Sequence, residues 1–363
     1  MDATEFCELA RRLMSCPAAP YHEAGVRAEV EKICGELGLD HGRDKFGNVL
    51  VRLQSATDVR PVALAAHLDH PGFEIGKPLE GNRWSAKFLG GVPESFFEKG
   101  IPIRLLPDKT PAVLEKPLGR DQICVLAAAS TPTESPTFAV WELEDFVLRD
   151  GLILGRACDD LIGVAAILTA MAELARSGAA VNVIGVISRA EEIGCHGALA
   201  VAGGDLLPKD TLVISLETSR ELPPVKMGQG AIIRVGDRSS VFDPSATRFL
   251  TEVAGQITAQ DKSFQFQRAL MSGGSCEGTA YQGLGYQTAA ACVALGNYHN
   301  CGGRGRIETE FVNAGDALGM ARLVAEVARQ MPAYETITRR LPEKLGASLE
   351  VARTRLAEKV DAG

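Results

Sequence analysis

Four short, predominantly apolar runs constrain the fold more than any other feature of the chain. Pro61 to Ala66 (PVALAA), Val181 to Ile187 (VNVIGVI), Thr211 to Leu216 (TLVISL) and Tyr286 to Leu295 (YQTAAACVAL) lack the regular polar alternation of a strand with one wet face. Such runs suit strands covered on both faces, as in a mostly parallel sheet between helical layers. The expected fold class is therefore α/β, with a three-layer α/β/α unit around a mostly parallel central sheet. Each run also leads to residues of metal-ligand type: His67 in HLDH, Glu191 and Glu192 in AEE, Glu217 in SLET and His299 in NYHN. Ligands of open α/β sheets bind beyond the carboxyl ends of the strands, so these side chains are expected to share one rim.

The rest of the chain is uneven in texture. Charged and apolar residues recur at helical spacing from Glu5 to Leu37, with a break at CPAAP, and DKFGNVLVRL predicts a turn and a strand ending near Leu53. Between Gly72 and about Asp150, Gly and Pro are frequent and the candidate strands are short: Trp84 to Leu89, Ile101 to Leu106 and Ile123 to Ala127. That stretch predicts a small β-barrel or sandwich inserted into the α/β unit. The expected division is residues 1–71 with 151–363 as one discontinuous domain and 72–150 as the insertion. Leu161 to Ser177 predicts a buried helix that Gly178 helps to end. A second helix is expected from about Thr309 to Met331, and Pro342 to Val360 predicts a charged amphipathic helix that packs on the domain or on a neighbouring subunit.

Composition narrows the partners. A formal charge of −8 over 363 residues argues against a nucleic-acid or anionic-membrane partner, both of which ask for a basic face. The first residues, MDATEFCELARRLMS, lack the apolar stretch of roughly 7–15 residues that a signal peptide requires, and no run approaches the ~18 apolar residues of a membrane span. Nine scattered cysteines without a CxxC pair fit reduced thiols, so a cytoplasmic location is expected.

The chemistry rests on residue types and their neighbours. About three protein ligands and a water complete a catalytic zinc site, so two imidazoles and three carboxylates suffice for two ions that share one carboxylate. Asp159 stands with Asp160 between a strand-like LILGRA and a helix, where an acid also favours the helix N-terminus. His67 and Asp69 form an H-x-D, in which the two side chains leave a strand end on the same face and the carboxylate is expected to brace the imidazole. Of the adjacent acids Glu191 and Glu192, one can ligate while the other stays free as a general base. His196 in GCHGA is a further candidate ligand. Three carboxylates and a hydroxide balance the charge of two divalent cations, a neutral centre that a dry cleft can hold.

The motifs LAAHLDHPGFEI, GRACDDLIGVAAIL, ISRAEEIGCHGA, LVISLETS, GGSCEGTA and NYHN, with DKFGNVLV and FLGGVPESF, resemble the dinuclear metallo-aminopeptidases of peptidase family forty-two, the tetrahedral and glutamyl type. The resemblance runs from about Tyr21 to Val312. An insertion between H-x-D and the aspartate pair, rather than between the fourth ligand and the last histidine, separates this family from the family-twenty amidohydrolases. By resemblance, His67, Asp159 and Glu217 hold one metal, and Asp159, Glu192 and His299 hold the other. Asp69 orients His67, Glu191 is the general base, and Gly273 and Gly274 line the substrate site. The resemblance further implies two divalent ions, zinc first and cobalt or manganese as options, and a cis peptide at Asp159–Asp160. It implies short peptides as substrates, an insertion that mediates dimerisation, and a homo-oligomer between a dimer and a tetrahedral dodecamer.

This chain departs from the family pattern at His70 (usually Glu), Glu217 (usually Asp) and Cys276 (usually Asp). An N-acyl amino acid amidohydrolase using the same centre, a metal-free glycosidase built on paired carboxylates, and a non-catalytic metal-stabilised binding protein are the competing readings.

Overall fold

The computed structural model of the chain describes residues 2–117 and 119–360. Helices α1 (Ala3–Met14) and α2 (Ala24–Glu36) lead into a hairpin of β1 (Asp40–Arg43) and β2 (Val49–Gln54), and then into β3 (Val62–His67). Six strands follow: β4 (Gly72–Leu79), β5 (Arg83–Leu89), β6 (Pro102–Leu106), β7 (Thr110–Lys116), β8 (Ile123–Ala128) and β9 (Phe138–Trp141). The chain then resumes the main sheet with β10 (Val147–Arg149) and β11 (Leu152–Gly155), followed by α3 (Leu161–Arg176), β12 (Asn182–Ser188), α4 (His196–Gly203) and β13 (Leu212–Arg220). It ends with β14 (Ala231–Gly236), α5 (Pro244–Gln260), β15 (Phe266–Leu270), α6 (Glu277–Gly283), β16 (Gln287–Gly296), β17 (Glu310–Asn313), α7 (Ala314–Gln330) and α8 (Tyr334–Val360).

The main sheet runs β1-β2-β12-β3-β13-β16-β17-β11-β10, with β14 and β15 branching from β16. Its centre, β12-β3-β13-β16, is parallel, while the flanks β1-β2-β12 and β16-β17-β11-β10 are antiparallel. The parallel strands are the four predicted apolar runs. Alternation along β3 explains why: Val62, Leu64 and Ala66 enter the core under α1, α3, α5 and α7, while Ala63 and Ala65 enter a second core under α4 and α6. Both faces are dry, and each fully buried aliphatic side chain there contributes about 1.5–3 kcal/mol relative to exposure.

Helix α3 is specified at both ends. Asp160 accepts from Gly163 N–H at 3.2 Å at its start, and Gly178, with φ +62°, turns the chain away after Ser177. The expected helix from Thr309 begins later, because Glu310 to Asn313 pairs with β11 and β16 as a strand and Asn313 caps α7 through Asp316 N–H. The tail is helical as expected, but it starts at Tyr334, and among the described residues only its start is tucked in, at Tyr334, Ile337 and Thr338. Leu345, Leu349 and Leu356 are exposed, so this part of the tail does not pack on its own chain.

The inserted strands close into a barrel of order β4-β5-β8-β7-β6-β9, which leaves no free sheet edge. Its centre is an aromatic cluster in which Phe88 lies 5.0 Å from Phe73 and 4.8 Å from Phe97, with Trp141 4.9 Å from Phe73 between ring centroids.

Candidate metal centre

The four parallel strands end on one rim, and the candidate ligands gather there. His67 is the last residue of β3, in register with Ser188 at the end of β12, from which the chain turns directly to Glu191 and Glu192. Glu217 lies on β13 beyond its pairing with β3, and His299 follows the end of β16. Asp159 enters between β11 and α3, next to a cis peptide at Asp159–Asp160.

Asp159 sits between two histidine–glutamate pairs. Its Oδ1 is 3.5 Å from His67 Nε2, which is 3.6 Å from Glu217 Oε1; its Oδ2 is 3.7 Å from His299 Nε2, which is 3.2 Å from Glu192 Oε2. Ligands at roughly 2.0–2.1 Å from a tetrahedral ion stand roughly 3.3–3.4 Å from each other, close to these separations. The groups His67–Asp159–Glu217 and Asp159–Glu192–His299 each offer three ligand atoms within 4.8 Å of one another, as does His67–Glu191–Glu192, in which the two glutamates are only partly buried. Buried Asp159 Oδ1 and Glu192 Oε1 have no hydrogen-bond donor, which leaves them available to a cation. The residues therefore fit a pair of divalent ions.

Both imidazoles are presented for ligation by Nε2. His67 Nδ1 donates to the main-chain carbonyl of Asp69 at 3.0 Å, and His299 Nδ1 donates to that of Gly91 at 2.9 Å, so the loop after β5 contributes to the centre. Asp69 offers acceptors in two directions. Its carboxylate lies 3.6 Å from His67, whereas it accepts from the N–H groups of Glu191 at 2.9 Å and Glu192 at 3.1 Å. The carbonyl braces the imidazole, and the carboxylate holds the acidic loop.

The crowding of acids shows in their protonation. Burial and then Asp159 push Glu217 up to about 8. Burial also raises Glu191 well above the usual carboxylate range, with Glu217, Glu192 and Asp69 adding to the effect and His67 opposing it. For His299, burial disfavours the charge, but Glu192 and Asp159 outweigh it and raise the ring to about 10. His67 is likewise raised, burial being outweighed by contacts to Asp159, Asp69 and Glu217. Asp159 is held at about 2: burial opposes its ionisation, and the two histidines overcome it. Bound cations would take the place of these protons and favour the ionised carboxylates.

The cleft over these residues is also lined by Thr218, Arg234, Met271, Gly273, Gly274 and Tyr298. Gly274 accepts from the buried Arg234 guanidinium at 3.1 Å, and the Tyr298 ring stacks on His299 with centroids 3.7 Å apart. Two further histidines have other uses. His196 is outside the ligand groups and its ring meets Tyr21 Oη at 2.9 Å. His70 reaches the Asp159 carbonyl at 2.8 Å and Asn300 Oδ1 at 2.9 Å, and burial lowers it to about 4, so it is neutral at pH 7 and donates to one of them.

Glu310 escaped the sequence reading. It is fully buried and accepts from Asp159 N–H at 3.0 Å and His299 N–H at 2.8 Å, tying the shared carboxylate to the last histidine. Its only signal is an acid inside the strand-like ETEFVN.

The family model described as M42 glutamyl aminopeptidase matches residues 132–304. The matched stretch runs from the end of the barrel past His299 and holds Asp159, Glu191, Glu192 and Glu217. The match supports a metal-dependent aminopeptidase, a hydrolase of peptide bonds. Solved M42-like folds are similar over nearly the whole length. The TET aminopeptidase of a marine-sediment Thaumarchaeota archaeon is 19% identical, with 92% of this chain and 99% of that one covered at a TM-score of 0.78. The aminopeptidase of Desulfurococcus kamchatkensis is 19% identical over 92% of this chain and 98% of its own, with a TM-score of 0.75. The TET1 peptidase of Pyrococcus horikoshii, which assembles into a tetrahedron or a large octahedral shell, is 20% identical over 89% and 99%, with a TM-score of 0.74.

Proposed function

We propose that this aminopeptidase removes N-terminal residues from short peptides using two divalent ions, one held by His67, Asp159 and Glu217 and the other by Asp159, Glu192 and His299. The observation that carries the reading is Asp159, whose two oxygens face different histidine–glutamate pairs. When bound, the ions supply Lewis acidity, which lowers the pKa of water and polarises a carbonyl. Glu191, at the edge of the cleft and outside the two ligand sets, takes a proton from the attacking water and returns it to the leaving amine. Zinc is the first metal to test, with cobalt and manganese next, because mixed imidazole and carboxylate ligands suit all three.

Gly273 and Gly274 border the cleft and leave room for a peptide backbone. Arg234 is the buried cation there, with Asp237 no nearer than 4.0 Å, so an acidic first residue is the first side chain to test. We further propose that residues 72–150 form a dimerisation domain, that the protein is a cytoplasmic homo-oligomer, and that a tetrahedral shell is the assembly to look for. The relatives that assemble in this way support that reading, as does the lack of any described helix long and apolar enough to cross a membrane.

Glu191→Gln tests the mechanism. It keeps the volume and removes the proton acceptor, so metal content stays at the wild-type value while kcat falls by about 10²–10⁴-fold. Unchanged turnover in that variant excludes Glu191 as the base.

A further inference from the structure

Four consecutive amides, those of residues 189–192, each donate to a buried side-chain oxygen from another segment. Arg189 N–H reaches Asn48 Oδ1 at 3.1 Å and Ala190 N–H reaches Glu23 Oε1 at 3.1 Å, while Glu191 and Glu192 use the two oxygens of Asp69. An ordinary turn after a strand gives these groups to water. Here Glu23, Asn48 and Asp69 are all fully buried.

Glu23 is the unexpected member. It occupies the cap position of α2, yet its side chain makes no bond to that helix. Its other oxygen accepts from Arg189 Nε at 2.7 Å, and the same guanidinium reaches the carbonyls of Phe46 at 2.7 Å and Tyr21 at 3.0 Å. The residue it holds, Ala190, has φ +51°, a left-handed conformation that costs an L-amino acid energy unless its surroundings impose it. That turn sets the direction in which the next side chain, Glu191, leaves the backbone.

We propose that Glu23 is a positioning residue for the reaction: it clamps Ala190 in its left-handed turn and so aims Glu191 into the cleft. This rests on Glu191 being the base. Asn48 and Arg189 complete the clamp, which joins the N-terminal segment, the turn before β2 and the loop after β12.

The test compares Glu23→Ala and Glu23→Gln with Ala190→Gly and the Glu23→Ala/Ala190→Gly double variant in the metal-loaded full chain. Bound metal, kcat and KM on an aminoacyl substrate are measured for each. Glu23→Ala lowers kcat about 10–100-fold, the effect of a displaced catalytic group, with KM and metal content kept. Glu23→Gln keeps one acceptor oxygen but turns an amide group toward Arg189, and its kcat falls less. Glycine adopts positive φ without a clamp, so the double variant regains about fivefold or more in kcat over Glu23→Ala. A residue that serves folding alone would not be rescued in kcat by this glycine. Wild-type kcat in Glu23→Ala, or no recovery in the double variant, overturns the proposal. Full turnover in Glu191→Gln instead removes the base on which it rests, so the two failures are distinct.

Discussion

Metal loading at pH 7 is predicted to displace about three protons per subunit, because ligands must shed protons to bind a cation. The number follows from the groups that face the ions. In the metal-free site His299, raised to about 10, and His67, also raised, carry protons at pH 7, as does Glu217 with its carboxyl near 8. Asp159, held at about 2, has none to lose, while Glu192, which burial raises against the pull of His299, can only add to the count. Binding requires neutral imidazoles and ionised carboxylates, so His67, His299 and Glu217 each release one. The sign of the pH dependence follows: as pH rises through about 8, Glu217 is already ionised in the metal-free protein, and its share of the release disappears. The share of His299 disappears nearer 10. Apparent affinity should therefore climb steeply between pH 6 and 8, each displaced proton contributing about tenfold per pH unit. Calorimetric titration of the chelator-stripped protein with zinc, in buffers of different ionisation enthalpy, counts the protons. A release near zero at pH 7 would refute the assignment of these three groups as protonated ligands.

Other perturbations separate the parts of the site. Glu310→Ala deprives Asp159 and His299 of their shared acceptor and should weaken metal binding by about 10–100-fold, read by competition with a chromophoric chelator. In Gly197→Ala the new methyl would lie 2.4 Å from Arg189 N and 2.5 Å from Arg189 O, so the loop carrying Glu191 must shift; kcat should drop at least about tenfold in a folded protein. Phe88→Ala empties the centre of the barrel's aromatic cluster and should cost about 3–5 kcal/mol in denaturant unfolding of the barrel, with metal stoichiometry kept.

Much of this architecture could be read from local pattern. The four apolar runs identified the parallel centre of the sheet, since dryness on both faces leaves a direct mark on composition. The same pattern says little about the flanks, where β1, β2, β17, β11 and β10 pair antiparallel. Glu310 to Asn313 was expected within a helix; its neighbours β11 and β16 are distant in the chain, and their pairing overrides the local preference. The candidate ligand histidines and acids were legible because metal chemistry restricts residue type. Glu310, Glu23 and Asn48 were not, because each acts on backbone amides remote in sequence, and an amide carries no residue signature. Asp69 meets His67 through its carbonyl and the 191–192 amides through its carboxylate, a division that only three-dimensional geometry reveals.

The most direct measurement of the central claim is the anomalous-scattering map of crystals grown with zinc or cobalt. Two peaks about 3.5–4 Å apart are predicted, with Asp159 in contact with both, His67 and Glu217 on one, and Glu192 and His299 on the other. A single ion, or a pair in which Asp159 touches only one member, would contradict it.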